Sequence, residues 1–254
     1  MPSESQDASI AASLRDDILR GHYRCGERLP SERDLAQRFG VHRSTVREAF
    51  KRLEQLGVAR IRPGGARVAP LEEASLDVVE HLLALDSPPD PEILDQALEA
   101  ISGFRAMSAR LGTERADAQQ RAKMLEILAT MLNEELDVDR HLGLVTELSD
   151  CFVEASGNMV LRLMRHGLRK RRGESSGDSI HLRVTPDKGE VEPHLMKLAR
   201  AIEDADGATA SEQVYRLSTL FRRTVREEGI AISSSERTAE SAPGNRARAI
   251  GGAA

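Results

Sequence analysis

The apolar positions between residues 29 and 68 fall into three short runs with two different periods. Leu35, Ala36 and Phe39 recur at helical spacing and predict a short helix over 31–39. Ser31 is placed to cap it, with Asp34 three residues on, and Gly40 to end it. Val46, Ala49, Phe50, Leu53 and Leu56 step by three and four, which predicts a longer helix over 42–56. Residues 58–61 and 66–68 then alternate around Arg62-Pro63-Gly64-Gly65 and predict two strands joined by a glycine turn. Upstream, residues 10–20 are amphipathic. Beyond Pro70 the period is helical throughout, with helices expected over 74–85, 91–111, 115–132, 134–155, 159–171, 191–203 and 211–228. Breaks are expected at 86–90, at Gly112-Thr113 and at Gly157-Asn158. Residues 172–189 are polar and Gly-rich, as in a long loop. The chain thus divides into a disordered N-terminus (1–8), a helix-turn-helix with a hairpin (9–70), an all-helical unit (71–231) and a disordered tail (232–254). The fold class expected is mainly α.

Composition agrees with helices. Aromatic residues make up 3% and Trp is absent, so the cores must be aliphatic. No run approaches the roughly 18 apolar residues of a membrane span. The polar start of the chain lacks a signal-peptide core, and Cys25 and Cys151 fall in separate units, as reduced thiols would. A cytoplasmic location is expected. The net charge of −5 hides an asymmetry: residues 1–70 hold 13 Lys/Arg against 9 Asp/Glu, and residues 71–254 hold 23 against 32. A local positive sign is what neutralising a phosphate backbone requires, whatever the charge of the whole chain.

A short helix, a tight turn, an arginine-bearing helix and a basic hairpin can together put one helix into a DNA major groove. The first turn of such a helix reads bases. Arg43 can donate twice to a guanine edge, and Ser44 and Thr45 are short donors for phosphate or bases. His42 stands in the capping place, where Ser or Thr is commoner, and can alternatively meet phosphate. Arg33 and Arg47 are within reach of the backbone or of bases. Arg62, Gly64, Gly65 and Arg67 form a wing suited to the minor groove. Glu32 and Glu48 are expected to orient the arginines rather than touch DNA.

These residues carry a resemblance. Leu29-Pro30-Ser31-Glu32-Arg33-Asp34-Leu35, Arg43-Ser44-Thr45-Val46-Arg47-Glu48-Ala49 and Leu53-Glu54-Gln55-Leu56-Gly57 resemble the winged-helix domain of the GntR family of bacterial transcription regulators. The lead-in from Ile18 to Pro30 fits as well, with Cys25 where proline is usual. The wing departs from the family's common ending, because Ala66-Arg67-Val68 replaces it. Residues 71–230 resemble the helical domain of the FadR-like branch, through Leu76-Asp77-Val78-Val79-Glu80-His81-Leu82, Pro91-Glu92-Ile93-Leu94-Asp95 and Ala155-Ser156-Gly157-Asn158.

The resemblance implies an antiparallel all-α bundle around a ligand cavity. Many members of the branch grip a carboxylate through a metal held by an Asp-x-x-x-His pair and two later histidines. The register of that pair falls on Val145 and Ser149, so a metal-free pocket and no cofactor are expected. Asp137 and His141 have the right spacing but lie eight residues early, and are expected on a solvated face. The branch's fatty-acid regulators, which bind acyl-coenzyme A, are similar around 82–101. Arg105, Arg162, Arg165 and His194 are the effector-binding residues expected, with Arg169 and Lys170 as further sources of charge. The resemblance implies a homodimeric regulator, a repressor rather than an enzyme, that binds a palindromic double-stranded DNA operator and responds to a small carboxylate or an acyl-coenzyme A. An enzyme with an accessory DNA-binding domain and a ligand-free architectural DNA binder are the alternatives. The helical half carries no nucleophile elbow, P-loop or dinucleotide fingerprint.

Overall fold

The computed structural model describes residues 5–173 and 184–228. The expected tail, most of the N-terminal stretch, His181 and the central part of the 172–189 loop lie outside the described residues, as do the side chains of Arg169 and Lys170.

Three helices and a hairpin make the N-terminal core. Helix α1 (Gln6–Leu19) buries Ile10, Ala11, Leu14 and Ile18. Helix α2 (Glu32–Phe39) starts at Ser31, whose Oγ accepts from the Asp34 amide at 3.2 Å. Gly40 ends it at φ 67°, a left-handed conformation that costs a glycine little, and the chain turns at once into α3 (Arg43–Gln55). Helix α3 buries Val46, Ala49, Phe50 and Leu53 against α1 and α2. Strands β1 (Ala59–Arg62) and β2 (Gly65–Val68) pair antiparallel around Pro63-Gly64. Ala59, Ala66 and Val68 close the core from below.

A 3-10 turn (Leu71–Glu73) leads to α4 (Val78–Ala84). This helix is shorter than the period predicted. Val78 and Leu82 pack on the N-terminal core. Leu83 packs instead with Leu94, Leu98, Phe221 and Val225. Side chains tie α1 to this region: Arg20 pairs with Asp86 at 2.8 Å and donates to the Leu85 carbonyl, and Arg15 meets the His81 ring at 3.4 Å.

The remaining helices are α5 (Pro91–Arg115), α6 (Ala118–Asn133), α7 (Val138–Ala155), α8 (Met159–Gly173), α9 (Lys188–Glu203) and α10 (Gly207–Glu228). Helix α5 is the spine and packs along both α7 and α10. It runs antiparallel to α10, since Asp95 meets Arg222 while Gly207 lies against Arg110 and Glu114. It runs in the same direction as α7, since Gly112 lies against Phe152 and Arg115 donates to the Ser156 carbonyl.

Helix α5 passes straight through Gly112-Thr113, where a break was predicted. A Cβ on Gly112 would stand 2.5 Å from the Phe152 carbonyl oxygen. The glycine lets two backbones touch and does not end a helix. Other limits also move. Asp117 and Gln120 form a reciprocal cap that starts α6 at Ala118. Asp137 accepts from the Arg140 amide and starts α7 four residues later than predicted. Helix α10 begins four residues early, at Gly207. The bundle core gathers Met124, Leu128, Leu144, Phe152, Leu198 and Ile202. Among the described residues no helix is long and apolar enough to cross a membrane.

Candidate DNA interface and effector cavity

Helix α3 presents two faces of opposite kind. Val46, Ala49 and Phe50 are buried, while His42, Arg43, Ser44 and Arg47 are exposed and Thr45 is half-buried. His42 makes no side-chain cap to α3, so the first amides of the helix carry no side-chain acceptor. Exposed amides at a helix N-terminus favour an anion, and a phosphate matches them.

The arginines of this face differ. Arg47 is held by Glu32 of α2 through two bonds of 3.1 and 3.0 Å. That fork raises the Arg47 pKa and lowers that of Glu32. Lys51 pairs with Glu48 on its own helix, and Arg33 leans toward Asp34 at 3.6 Å. Arg43 makes no ion pair or side-chain hydrogen bond among the described residues, so its five donors stay available at the leading turn. Glu32 thus orients an arginine as expected, whereas Glu48 pairs with Lys51 rather than with an arginine.

In the hairpin, Arg62 is exposed beside the Pro63-Gly64 turn. Gly64 is exposed, whereas Gly65 is partly covered by the Arg28 guanidinium, 3.1 Å from where its Cβ would be. Arg67 donates to the Gly26 carbonyl at 2.9 Å and bridges to Arg28, so it also fastens the lead-in loop to the wing. Arg60 pairs with Glu73.

The second site is a cavity of about 710 Å³ in the bundle, walled by α5, α7, α9 and α10, with Met131 of α6. Leu98, Phe104, Phe152, Leu195, Leu198 and Phe221 supply much of its apolar wall. Arg105 lines it. Arg162, Arg165 and His194 are not among its lining residues. Arg165 is buried and donates to Asp150 at 2.6 Å and to the Thr146 carbonyl at 3.2 Å, which fastens α8 to α7. The Nδ1–H of His194 donates to Gln213 Oε1 at 2.8 Å and joins α9 to α10. Arg162 sits half-buried on α8.

The cavity also holds residues that the sequence put on a solvated face. His141 lines it, half-buried, and burial pulls its pKa below the usual histidine value. Asp139 stands exposed at its edge. Asp137 does not join them, because it is spent capping α7. The clue was in the spacing. His141, Val145, Ser149 and Phe152 recur every three or four residues, so His141 shares a face with the two register positions. Val145 and Ser149 both line the cavity. Among the described residues no cluster of three or more His, Cys, Asp or Glu could hold a metal ion.

The N-terminal sequence matches a known family. The profile described as "Bacterial regulatory proteins, gntR family" matches residues 6–68. The transcriptional regulator Mce2R of Mycobacterium tuberculosis is 32% identical over 164 residues, 63% of this chain and 67% of that protein. The chain belongs to the GntR family. The fatty acid metabolism regulator of Proteus mirabilis is 30% identical over 156 residues, 61% of this chain and 64% of its own. Among solved structures, a Streptococcus agalactiae GntR aligns over 85% of this chain and 99% of its own, at 22% identity and a TM-score of 0.41. This GntR-family chain is therefore a DNA-binding transcription regulator.

Proposed function

We propose that this GntR-family regulator binds a palindromic operator as a homodimer, represses from it, and is released by a small-molecule effector held in the bundle cavity. The observation that carries the DNA reading is the contrast along α3. Arg47 is neutralised by Glu32, while Arg43, one turn earlier, makes no side-chain hydrogen bond or ion pair among the described residues and stands at the leading end. Arg43 is then the base reader. Arg33, His42, Ser44, Thr45 and Arg47 meet the backbone around it, and Arg62, Gly64, Gly65 and Arg67 meet the adjacent groove. One winged helix covers few base pairs, and a two-fold pair doubles the contacts and makes the site palindromic.

The effector reading is supported by where the cavity lies. Leu98 and Phe221 line it and also touch the cluster that holds Leu83 of α4. An effector acts by binding one arrangement of this joint better than the other.

Binding to DNA from the chain's own upstream region, followed by fluorescence anisotropy at two salt concentrations, tests the reading. Arg43→Ala is expected to lower specific affinity about 5- to 150-fold, the loss of one bidentate base contact worth about 1–3 kcal/mol. Specific binding unchanged in Arg43→Ala refutes the assignment of α3. A mass of one chain per operator in light scattering refutes the dimer. A reporter gene that rises with the protein's expression refutes repression.

A further inference from the structure

Residues 26–29 run along the free edge of β2. The Gly26 amide donates to the Val68 carbonyl, the Val68 amide to Glu27 and the Leu29 amide to Ala66, each at 3.0 Å. In this register Arg28 stands opposite Arg67, and Arg67 stands opposite Arg60 on β1. Directly opposite residues of an antiparallel pair point to one face, and so do residues two apart on a strand. Arg28, Arg67, Arg60 and Arg62 therefore share a face, while Ala59, Ala66 and Val68 turn to the N-terminal core. Arg60 is paired with Glu73. Arg28, Arg62 and Arg67 make no ion pair among the described residues. The donor that Arg67 gives the Gly26 carbonyl leaves its charge unbalanced. The nearby carboxylates turn to backbone amides, Glu27 to that of Arg24 at 2.8 Å and Glu54 to that of Ile61 at 2.9 Å. Like charges directly opposite one another destabilise a sheet, and the backbone pairing of Arg28 does not need its charge.

The Arg28 side chain leans toward the hairpin turn. Its Nε lies 3.1 Å from where a Cβ on Gly65 would stand, so the glycine at φ 126° leaves room for the guanidinium. Three residues on, Ser31 caps α2, whose Glu32 holds Arg47 of α3. Arg28 thus stands between the wing turn and the start of α2. We infer that Arg28 is a further contact to the DNA backbone, and that a phosphate shared by Arg28 and Arg67 relieves the repulsion of the arginine row. This rests on the proposed approach of the wing to DNA and adds the lead-in segment to that surface. Phosphate oxygens accept charge-assisted bonds from guanidinium groups, and a backbone contact positions the protein without reading sequence.

The test compares wild type, Arg28→Gln, Arg28→Lys and Arg43→Ala. Fluorescence anisotropy is measured on DNA from the chain's own upstream region and on a scrambled duplex, at about 50 and 200 mM salt, beside thermal unfolding without DNA. Arg28→Gln should weaken binding about equally on both duplexes, at least about threefold at the lower salt. It should make the slope of log affinity against log salt shallower by about 0.9 per winged helix bound. Arg28→Lys should keep the slope. Without DNA, Arg28→Gln should melt up to about 4 °C higher, because a like charge has left the row, and Arg28→Lys should melt with the wild type. A residue that merely holds the wing in place would lower Tm and affinity together, and that result overturns the inference. So does binding unchanged at both salts, or a loss confined to the upstream duplex. Arg43→Ala separates the two readings. A loss in Arg43→Ala with none in Arg28→Gln upholds the assignment of α3 and refutes this contact. A uniform loss in Arg28→Gln with none in Arg43→Ala upholds this contact and refutes that assignment.

Discussion

Helix α5 holds two interior glycines, Gly103 and Gly112, that call for opposite outcomes on conversion to alanine. On propensity alone each substitution stabilises, because alanine exceeds glycine by about 0.8–1.0 kcal/mol in a helix interior. Gly103 is exposed, and a Cβ there meets nothing within 4 Å. Gly103→Ala should realise that gain. A Cβ on Gly112 would stand 2.5 Å from the Phe152 oxygen, 2.7 Å from its Cα and 3.0 Å from its carbonyl carbon. All three are backbone atoms of a packed helix, so relief requires α5 and α7 to part by about 1 Å. Such overpacking costs about 1–3 kcal/mol, and the widened gap forfeits dispersion along the contact. The steric term exceeds the propensity term, and Gly112→Ala should lose about 1–2 kcal/mol net.

The assay is thermal unfolding by circular dichroism of the two single variants beside the wild type. For a chain of this size about 1 kcal/mol moves Tm by about 2–4 °C. Gly103→Ala should melt up to about 4 °C higher, and Gly112→Ala about 2–8 °C lower. Equal rises in both would refute the reasoning. They would mean that α5 and α7 do not touch at Gly112 and that the propensity term acts alone there.

Three further outcomes are expected. Asp95 accepts from Arg222 at 3.1 and 2.9 Å and from Arg226 at 2.9 Å, and chiefly the Arg222 hydrogen bond holds its carboxyl below the usual value. That stability is present above the unfolded carboxylate pKa and is lost as pH falls through the lower folded value; Asp95→Asn should cost about 1–3 kcal/mol at neutral pH and less in acid, by denaturant titration. Burial first, and then Arg15, lowers the His81 pKa, and burial lowers that of His141. The unfolded chain then binds these protons more readily, so stability should fall as pH drops below about 6.5 and level off under the folded values; Tm against pH that stays as steep in the His81→Gln, His141→Gln double variant refutes this. Under the proposed function, Leu83→Ala should weaken the effect of ligand on operator affinity while leaving ligand affinity in place, and an undiminished effect in anisotropy would remove α4 from the coupling.

The winged helix was legible because its signals are local. Ser31, Gly40 and the alternation around Pro63-Gly64 each act within a few residues, and each does in the structure what its position predicts. The bundle was legible as a set of helices but less so in its limits. Gly112 reads as a breaker unless Phe152, forty residues away, is known to lie against it. His141 reads as solvated because Asp137 and Asp139 precede it, yet it turns inward with Val145. Arg165 reads as charge for a ligand's phosphates, and His194 as lying near a later ligand position of the family's metal set. Their partners, Asp150 and Gln213, lie on other helices, and only the packing reveals those pairs. Period and capping specify an element; which polar group another helix will satisfy is settled by tertiary contact.

The same distinction bears on how a filled cavity could reach the DNA. Among the described residues, polar and apolar contacts both join the halves of the molecule. The Arg20–Asp86 pair is exposed on both sides, and such pairs contribute about 0–1 kcal/mol and fade with salt. Helix α4 makes the apolar contact. It sends Val78 and Leu82 into the N-terminal core and Leu83 into the cluster with Leu98 and Phe221, and these last two are also cavity wall. Burying one leucine is worth about 1.5–3 kcal/mol, comparable to a typical coupling energy of about 1–3 kcal/mol. The apolar joint therefore has the magnitude to transmit a ligand's preference, and the ion pair does not. A ligand that repositions Leu98 and Phe221 must either carry Leu83 with it or open a gap beside it. Either response acts on a seven-residue helix whose other side is packed against the winged-helix core. Under the proposed function, the orientation of Arg43 then depends on occupancy of a cavity that Arg43 does not touch, and operator spacing is the property through which that dependence is read.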